Sequence, residues 1–195
     1  MSLREEILDV SKELLLKHGF SKISMRKIAK KADVTATSIY LHFTNKDDLL
    51  LALVEESIAN LNKVLRNALN ETASPIDQLE SLADAYVGYA LENPQEYEII
   101  YMVRPEEMPK YPKEKFEQVR EIYELLAGII ERGKERNLFD VEDPLVSAYT
   151  LWAQIHGVVS VILGKRLDTR VPIERFLDLA IDHIIQGFIV QKTPA

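Results

Sequence analysis

No cysteine occurs in the 195 residues, which excludes a disulfide framework, a thiolate nucleophile and any cysteine-based metal site. This fits a reducing cytoplasm. Histidine is scarce too, at four residues (His18, His42, His156, His183). Asp182 and His183 are sequence neighbours and so point to different helix faces, which is wrong for a carboxylate-supported base. There is no Gly-rich phosphate loop and no HExxH pair. An enzyme is therefore not expected, and neither is a catalytic residue, a metal or a cofactor. Seven glycines and eight prolines leave long regular elements uninterrupted. No Gly/Ser linker, repeat or strand-like alternation appears, and the amphipathic start, studded with Glu and Lys, is not that of a signal peptide.

What is present is the composition of a soluble globular protein: 47% apolar and 28% charged residues, in a chain long enough to bury a core. The net charge of −7 is unevenly spread. Residues 1–46 hold nine Lys/Arg against five Asp/Glu, and residues 47–195 hold fifteen against twenty-six. A basic head on an acidic body is the asymmetry expected when one end meets an anionic polymer, although chance clustering on a solvated face gives the same count. Pro144 to Gly164 is a run of 21 residues without a charge, close to the roughly 20 needed to cross a bilayer. Ser147, Tyr149, Thr150, Gln154, His156 and Ser160 interrupt it. It reads as a helix enclosed by protein on nearly all sides, with no membrane partner.

Helical periodicity runs throughout, so the fold class is all-α. Ile7, Leu8, Leu14 and Leu15 form one stripe that ends at His18-Gly19. Short helices follow over about 24–32 and 35–41. Asn45 or Thr44 caps a long helix that reaches about Asn70, with Asp47 and Asp48 favourably placed in its first turn. Further helices are expected over about 75–92, 95–103, 114–136, 143–164 and 172–190, with Pro94, the Pro105 to Pro112 stretch and Pro172 between them. Residues 1–46 are expected to be a head and residues 47–195 a body, along one continuous helical stack.

Residues 24–46 carry the most informative pattern. Two short helices joined by Ala32-Asp33-Val34 have the length and turn of a helix-turn-helix. Val34 and Ile39 are placed to pack on Ile28 and Ala29. Asp33 falls where a left-handed residue is needed, a conformation that Asp tolerates better than most. The second helix then exposes Thr35, Ala36, Thr37, Ser38, Tyr40 and His42, small or hydrogen-bonding residues able to approach bases and phosphates. Lys22, Arg26, Lys27, Lys30, Lys31 and Lys46 surround them. The same pattern would also serve a small helical packing unit with a wet basic face.

Gly19-Phe20, Ser24-Met25-Arg26-Lys27-Ile28-Ala29, and Ile39-Tyr40-Leu41-His42-Phe43 with Lys46, Leu49 and Leu50 stand in a definite order and spacing. In that order they resemble the DNA-binding head of the tetracycline-repressor (TetR) family. The resemblance covers roughly thirty residues. It implies a transcriptional regulator, usually a repressor, that binds an operator in double-stranded DNA as a homodimer and is released by a small-molecule inducer. It also implies that Arg26, Thr35, Ala36, Thr37, Ser38, Tyr40, His42 and Lys46 touch DNA, with Tyr40 and Lys46 as phosphate anchors and Ala36, Thr37 and Ser38 nearest the bases. Asp33 replaces the usual glycine. Ala36 and Thr37 stand where Lys/Arg and Gly often occur, which leaves the operator sequence open. A helical small-molecule-binding or partner-binding protein without operator function is the alternative, against which the basic head argues.

Trp152 with His156-Gly157 resembles the Trp-x-x-x-His-Gly signature of one C-terminal subgroup of that family. Trp152 and His156 are four apart and share a helix face with Tyr149. They either line a ligand cavity or are core residues. Tyr97, Tyr101 and Tyr123 are further ligand-contact candidates, since tyrosine pairs an apolar ring with a polar tip. The last two helices are expected to form the dimer as a two-fold four-helix bundle, burying Val158, Val159, Val161, Ile162, Ile181, Ile184, Ile185 and Phe188.

Overall fold

A computed structural model of the chain describes residues 2–19, 22–102 and 116–190, without the side chains of Met102 and 116–119. The expectations on Phe20 and on the Pro105 to Pro112 stretch lie outside the described residues. Among those described the helices are α1 (Leu3–His18), α2 (Met25–Lys31), α3 (Ala36–Tyr40), α4 (Lys46–Ala68), α5 (Pro75–Glu92), α6 (Pro94–Met102), α7 (Phe116–Glu135), α8 (Pro144–Leu163) and α9 (Ile173–Gln186). Among the described residues the one extended pairing is an isolated antiparallel bridge between Phe139 and Ile189. The protein is all-α, with an N-terminal helix-turn-helix head on a helical body.

The chain packs as two units, Met1–Asn60 with Gln95–Phe116, and Leu61–Pro94 with Glu117–Ala195. In the first, short polar side chains start each helix by accepting from free backbone N–H groups. Ser2 and Glu5 form a reciprocal capping box on α1, Ser24 accepts from Lys27 N on α2, and Thr35 accepts from Ser38 N on α3. Of the two residues expected to cap α4, Asn45 does so. Its Oδ1 accepts from Asp48 N at 2.9 Å, while Asp48 Oδ2 accepts from Thr44 N at 2.8 Å. Gly19 closes α1 at φ 76°, which glycine adopts without steric cost. The apolar faces of these helices converge on Ile7, Leu8, Ile28, Ile39, Phe43, Leu49 and Leu50, all essentially buried.

The α6 helix adds Tyr97 and Ile99 to the buried set of this first unit. Glu96 of α6 is ion-paired with Lys12 of α1. Burial alone would push the Glu96 carboxyl up. Hydrogen bonds from Lys12, Ser57 and Asn60 and the Lys12 charge outweigh it and hold the group below its ordinary value.

In the second unit the turn between α4 and α5 is tied down by the buried Gln78. Its Nε2 donates to the carbonyls of Asn70, Glu71 and Ala73 at 3.0, 3.2 and 3.1 Å, and its Oε1 accepts from Arg132 at 2.9 Å. A buried amide with its hydrogen bonds met fixes a turn without a desolvation penalty. At the end of α7 a Cβ on Gly133 would come within 2.0 Å of the Phe139 ring. Only glycine lets that ring reach its buried seat.

The expectation that one chain encloses α8 on nearly all sides is not met. Ala148, Leu151, Ile155 and Val159 are its buried residues, a single stripe at spacings of three and four. Leu145, Val146 and Tyr149 are exposed. By length and composition alone α8 could cross a membrane. The set expected at a dimer face also divides. Val159, Ile181, Ile185 and Phe188 are buried within the chain itself, because they form the inward stripes of α8 and α9 and the turn after α9. Val158, Val161, Ile162 and Ile184 are only partly covered.

Candidate nucleic-acid interface and ligand cavity

The helix-turn-helix is built from α2, a three-residue turn and α3 onward. Ala32 caps α2, with its N–H bonded to the Ile28 carbonyl. Asp33 takes φ 53°, the left-handed conformation read from its position in the turn. The Val34 N–H then returns to the Ala29 carbonyl at 3.0 Å. Ile28, Ala29 and Ile39 are buried, which fixes the roll of α3 against α2.

That roll decides what faces outward. Arg26, Thr35, Thr37, Tyr40 and His42 are exposed, while Ala36, Ser38 and Lys46 are half-buried. Thr35 has a structural duty as well, since its Oγ1 lies 2.8 Å from Ser38 Oγ and accepts from Ser38 N at 3.1 Å. Thr37, exposed on the same helix, takes no part in that pair. Leu41 is 80% exposed, a large apolar side chain beside Tyr40 and His42 that sequence reasoning left out of the contact set. The signal was available: with Ile39 and Phe43 inward, Leu41 must point out. Lys22, Lys27, Lys30 and Lys31 are also exposed. The Lys27 Nζ donates to the Lys22 carbonyl at 2.7 Å, and Lys31 is paired with Glu13. Beneath the interface the Arg4 guanidinium lies 5.3 Å from the centre of the buried Phe43 ring, within reach of a cation–π contact.

The aromatic residues singled out in the body fall into two groups. Tyr97 and Tyr101 pair on α6, ring centres 4.7 Å apart, in the first packing unit. In the second unit Tyr149 stacks on Tyr123 at 4.0 Å, Tyr123 meets the edge of Trp152 at 5.6 Å, and Trp152 stacks on His156 at 5.1 Å. His156 Nδ1 stands 3.4 Å from the Tyr86 hydroxyl. Burial holds the imidazole below its ordinary value, so the neutral ring is favoured.

Beside this ladder lies a cavity with about 410 Å³ of empty space, counted out to solvent at its mouth. Its wall is drawn from Leu65 of α4, Leu79 and Tyr86 of α5, Ile122 and Leu126 of α7, and Trp152 of α8, and the surface it exposes is wholly apolar. Of the residues singled out for ligand contact, Trp152 lines it. Tyr123, Tyr149 and His156 belong to the ladder but are not part of the wall, and neither are Tyr97 and Tyr101. Tyr86 is, and its sequence context does not set it apart from the other tyrosines.

The signature of "Bacterial regulatory proteins, tetR family" matches residues 7–53, and that of "Tetracyclin repressor-like, C-terminal domain" matches residues 79–184. The chain belongs to the TetR family. Its members are transcriptional regulators with a DNA-binding helix-turn-helix, and the second match takes in Trp152, His156 and Gly157. An uncharacterized HTH-type transcriptional regulator of Haemophilus influenzae is 32% identical over 92 residues, 47% of this chain and 49% of that one. The fatty acid metabolism regulator protein of Bacillus subtilis is 31% identical over 74 residues, 38% of each chain. The chain thus aligns with at most about half the length of these relatives. Among solved structures, a protein of unknown function from Rhodococcus sp. RHA1 shares the fold, at a TM-score of 0.81 and 24% identity over 97% of both chains.

Proposed function

We propose that this TetR-family regulator is a ligand-responsive repressor, located in the cytoplasm, that binds a near-palindromic operator as a homodimer and leaves it when a small molecule enters the body. The observation that carries this reading is the outward face of α3, where Thr37, Ser38 and Tyr40 stand among the exposed cations of α2. In this reading residues 1–46 act as the reading head and residues 47–195 as the sensing and dimerising body. Arg26, Thr35, Ala36, Thr37, Ser38, Tyr40, His42 and Lys46 meet DNA, with Tyr40 and Lys46 on phosphates. Exposed Leu145, Val146 and Tyr149 on α8, and Ile173 and Leu179 on α9, supply apolar surface for a two-fold partner. Such a dimer sets two α3 helices one turn of DNA apart, roughly 34–36 Å.

The inducer binds the apolar cavity of the second unit, beside the Trp152–His156 ladder of the Trp-x-x-x-His-Gly subgroup. The cavity's apolar wall and the name of the Bacillus subtilis relative, a fatty acid metabolism regulator protein, both support a ligand with an aliphatic portion. Lys46 and the wall residue Leu65 stand on one helix, α4, roughly 29 Å apart at 1.5 Å per residue. A shift forced at Leu65 therefore moves the end of α4 that meets DNA. Electrophoretic mobility shift against the chain's own upstream region tests the reading. Binding should weaken steeply as salt rises. Lys46→Ala should lower affinity for all sequences and flatten the salt slope, whereas Thr37 variants should alter base preference. Retained specificity with no salt dependence, or no duplex binding at all, would refute it. Val146→Glu should yield monomers by sedimentation that no longer hold the operator.

A further inference from the structure

A second, smaller depression borders the cavity, sharing Leu65, Ile122 and Leu125 with it and adding Asn62, Arg66 and Glu121. We infer that this depression is a head-group site, in which Arg66 receives the carboxylate of a ligand whose unbranched apolar chain fills the cavity. The inference rests on the cavity being the sensing site.

Three observations carry it. First, the exposed wall of the main cavity is apolar throughout, so a charged or strongly polar group cannot be desolvated there without loss. Any amphipathic ligand must keep its polar end outside, and the shared residues Leu65, Ile122 and Leu125 make the smaller depression the neighbouring place for it. Second, the charged groups lining that depression are Arg66 and Glu121, whose guanidinium and carboxylate are 2.7 Å apart with side chains 59% and 50% exposed. An ion pair that wet is worth only about 0–1 kcal/mol, so an incoming carboxylate can replace Glu121 on Arg66 at little cost. The planar guanidinium then offers two parallel N–H donors to the new partner, an arrangement an ammonium or hydroxyl ligand could not use. Third, the space within the wall is limited. The volume of about 410 Å³ takes in open solvent, so the enclosed part is much smaller: a fused ring system is excluded, and a slender chain enters only as the wall side chains give way.

The polarity of the ligand follows from the depression as well. Among the described residues a cationic head would find only Glu121, and no aromatic ring lines the depression to cradle it. A neutral head would leave the Arg66–Glu121 pair intact and gain nothing from it.

The test uses the full-length protein and three probes with the same ten-carbon tail: decanoate, 1-decanol and decylamine. Binding is read from Trp152, the single tryptophan, and operator release is read separately by fluorescence anisotropy of labelled duplex. Decanoate should bind about tenfold more tightly than decanol, the worth of one charge-assisted contact. Arg66→Ala should bring decanoate down to the affinity of decanol, Arg66→Lys should restore part of the difference, and Glu121→Gln should tighten decanoate by removing its competitor. Equal affinity for decanoate and decanol, or a preference for decanoate that survives Arg66→Ala, overturns the assignment. So does tighter binding of decylamine that depends on Glu121. Binding of decanoyl-coenzyme A but not decanoate overturns it too, because the anions of that thioester lie far beyond the mouth. If decanoate binds as described yet leaves the operator complex intact, the head-group site stands and the inducer reading falls. If another ligand class releases DNA while decanoate does not bind, the reverse holds.

Discussion

Lys12 and Glu96 fasten α1, the first helix of the head, to α6, and cutting that link has a cost that can be worked out member by member. Their side chains are 24% and 14% exposed, so the pair lies largely out of water and is worth more than a surface ion pair. The two members are not equivalent. Glu96→Ala strands an ammonium on a long, flexible stem that can turn outward and recover hydration, so its cost is about 1–2 kcal/mol. Lys12→Met strands a shorter, more deeply covered carboxylate. That carboxylate keeps its hydrogen bonds from Ser57 and Asn60. It also faces Glu56, whose own carboxyl is pushed up first by burial and then by Glu96 and Asp9. A cost of about 3 kcal/mol is expected, near the lower end for a broken buried pair. The double variant Lys12→Met/Glu96→Met should cost less than the two single changes together.

Urea unfolding at one fixed protein concentration reads these differences, the fixed concentration being needed because the proposed dimer would add to stability. The pH dependence adds a second check. The folded-state value of Glu96 lies below the ordinary 4.5. Its contribution to stability is therefore complete above about 4.5 and is lost as pH falls through the folded value. In Lys12→Met the principal lowering influence is gone, so the deficit of the variant against the parent should shrink between pH 7 and pH 4. A larger cost for Glu96→Ala than for Lys12→Met, or a deficit that grows in acid, would refute the reasoning.

Asp33→Gly should raise stability by up to about 1 kcal/mol by relieving φ 53°, and it should tighten duplex binding by removing a carboxylate from the basic face. A lower urea midpoint would count against it. Gly133→Ala should cost about 1–3 kcal/mol, against the usual gain of alanine in a helix, because the new Cβ would meet Phe139 at 2.0 Å. An unchanged thermal midpoint would show that the Phe139 ring has room. Burial lowers the folded-state value of His156 below 6.5, so the stability it contributes is complete above 6.5 and is lost as pH falls through the folded value. Trp152 fluorescence should follow that protonation with a midpoint below 6.5 that vanishes in His156→Phe. A midpoint at or above 6.5 would mean that the ring is not desolvated.

How much of this could be read from the chain divides by the range of the interaction. The cap of α4 at Asn45, the left-handed Asp33 and the inward stripe Ile7, Leu8, Leu14 and Leu15 are local. Each depends on residues within a turn or two, and the sequence states them. The cavity wall is not local. Tyr86 and Tyr97 sit on successive helices in similar apolar surroundings, yet Tyr86 lines the cavity and Tyr97 packs with Tyr101 in the other unit. The tie between Lys12 and Glu96 spans 84 residues, and no periodicity could have announced it. Leu41 is the opposite case: the phase of α3 turns it outward, although an apolar side chain does not look like a DNA contact.

The phase of α8 carries the argument about its surroundings further than its composition does. A helix apolar on all sides suits lipid and a protein core equally well, and composition alone cannot separate them. Ala148, Leu151, Ile155 and Val159 face inward. On the opposite side the exposed residues include Val146, Tyr149, Thr150, Ala153, Gln154, Gly157 and Ser160. Hydrocarbon would leave the Gln154 amide without partners, a loss of several kcal/mol, whereas a protein neighbour or the rim of an interface can satisfy it. Ala153, Gly157 and Ser160 are small and lie one turn apart, so a second helix can approach the backbone closely there. Val146 and Tyr149 at one end of that strip supply the apolar area that such an approach would bury. In the proposed dimer the strip lies against its own symmetry mate. An open apolar face with polar members is then the half of an interface that one chain cannot complete by itself.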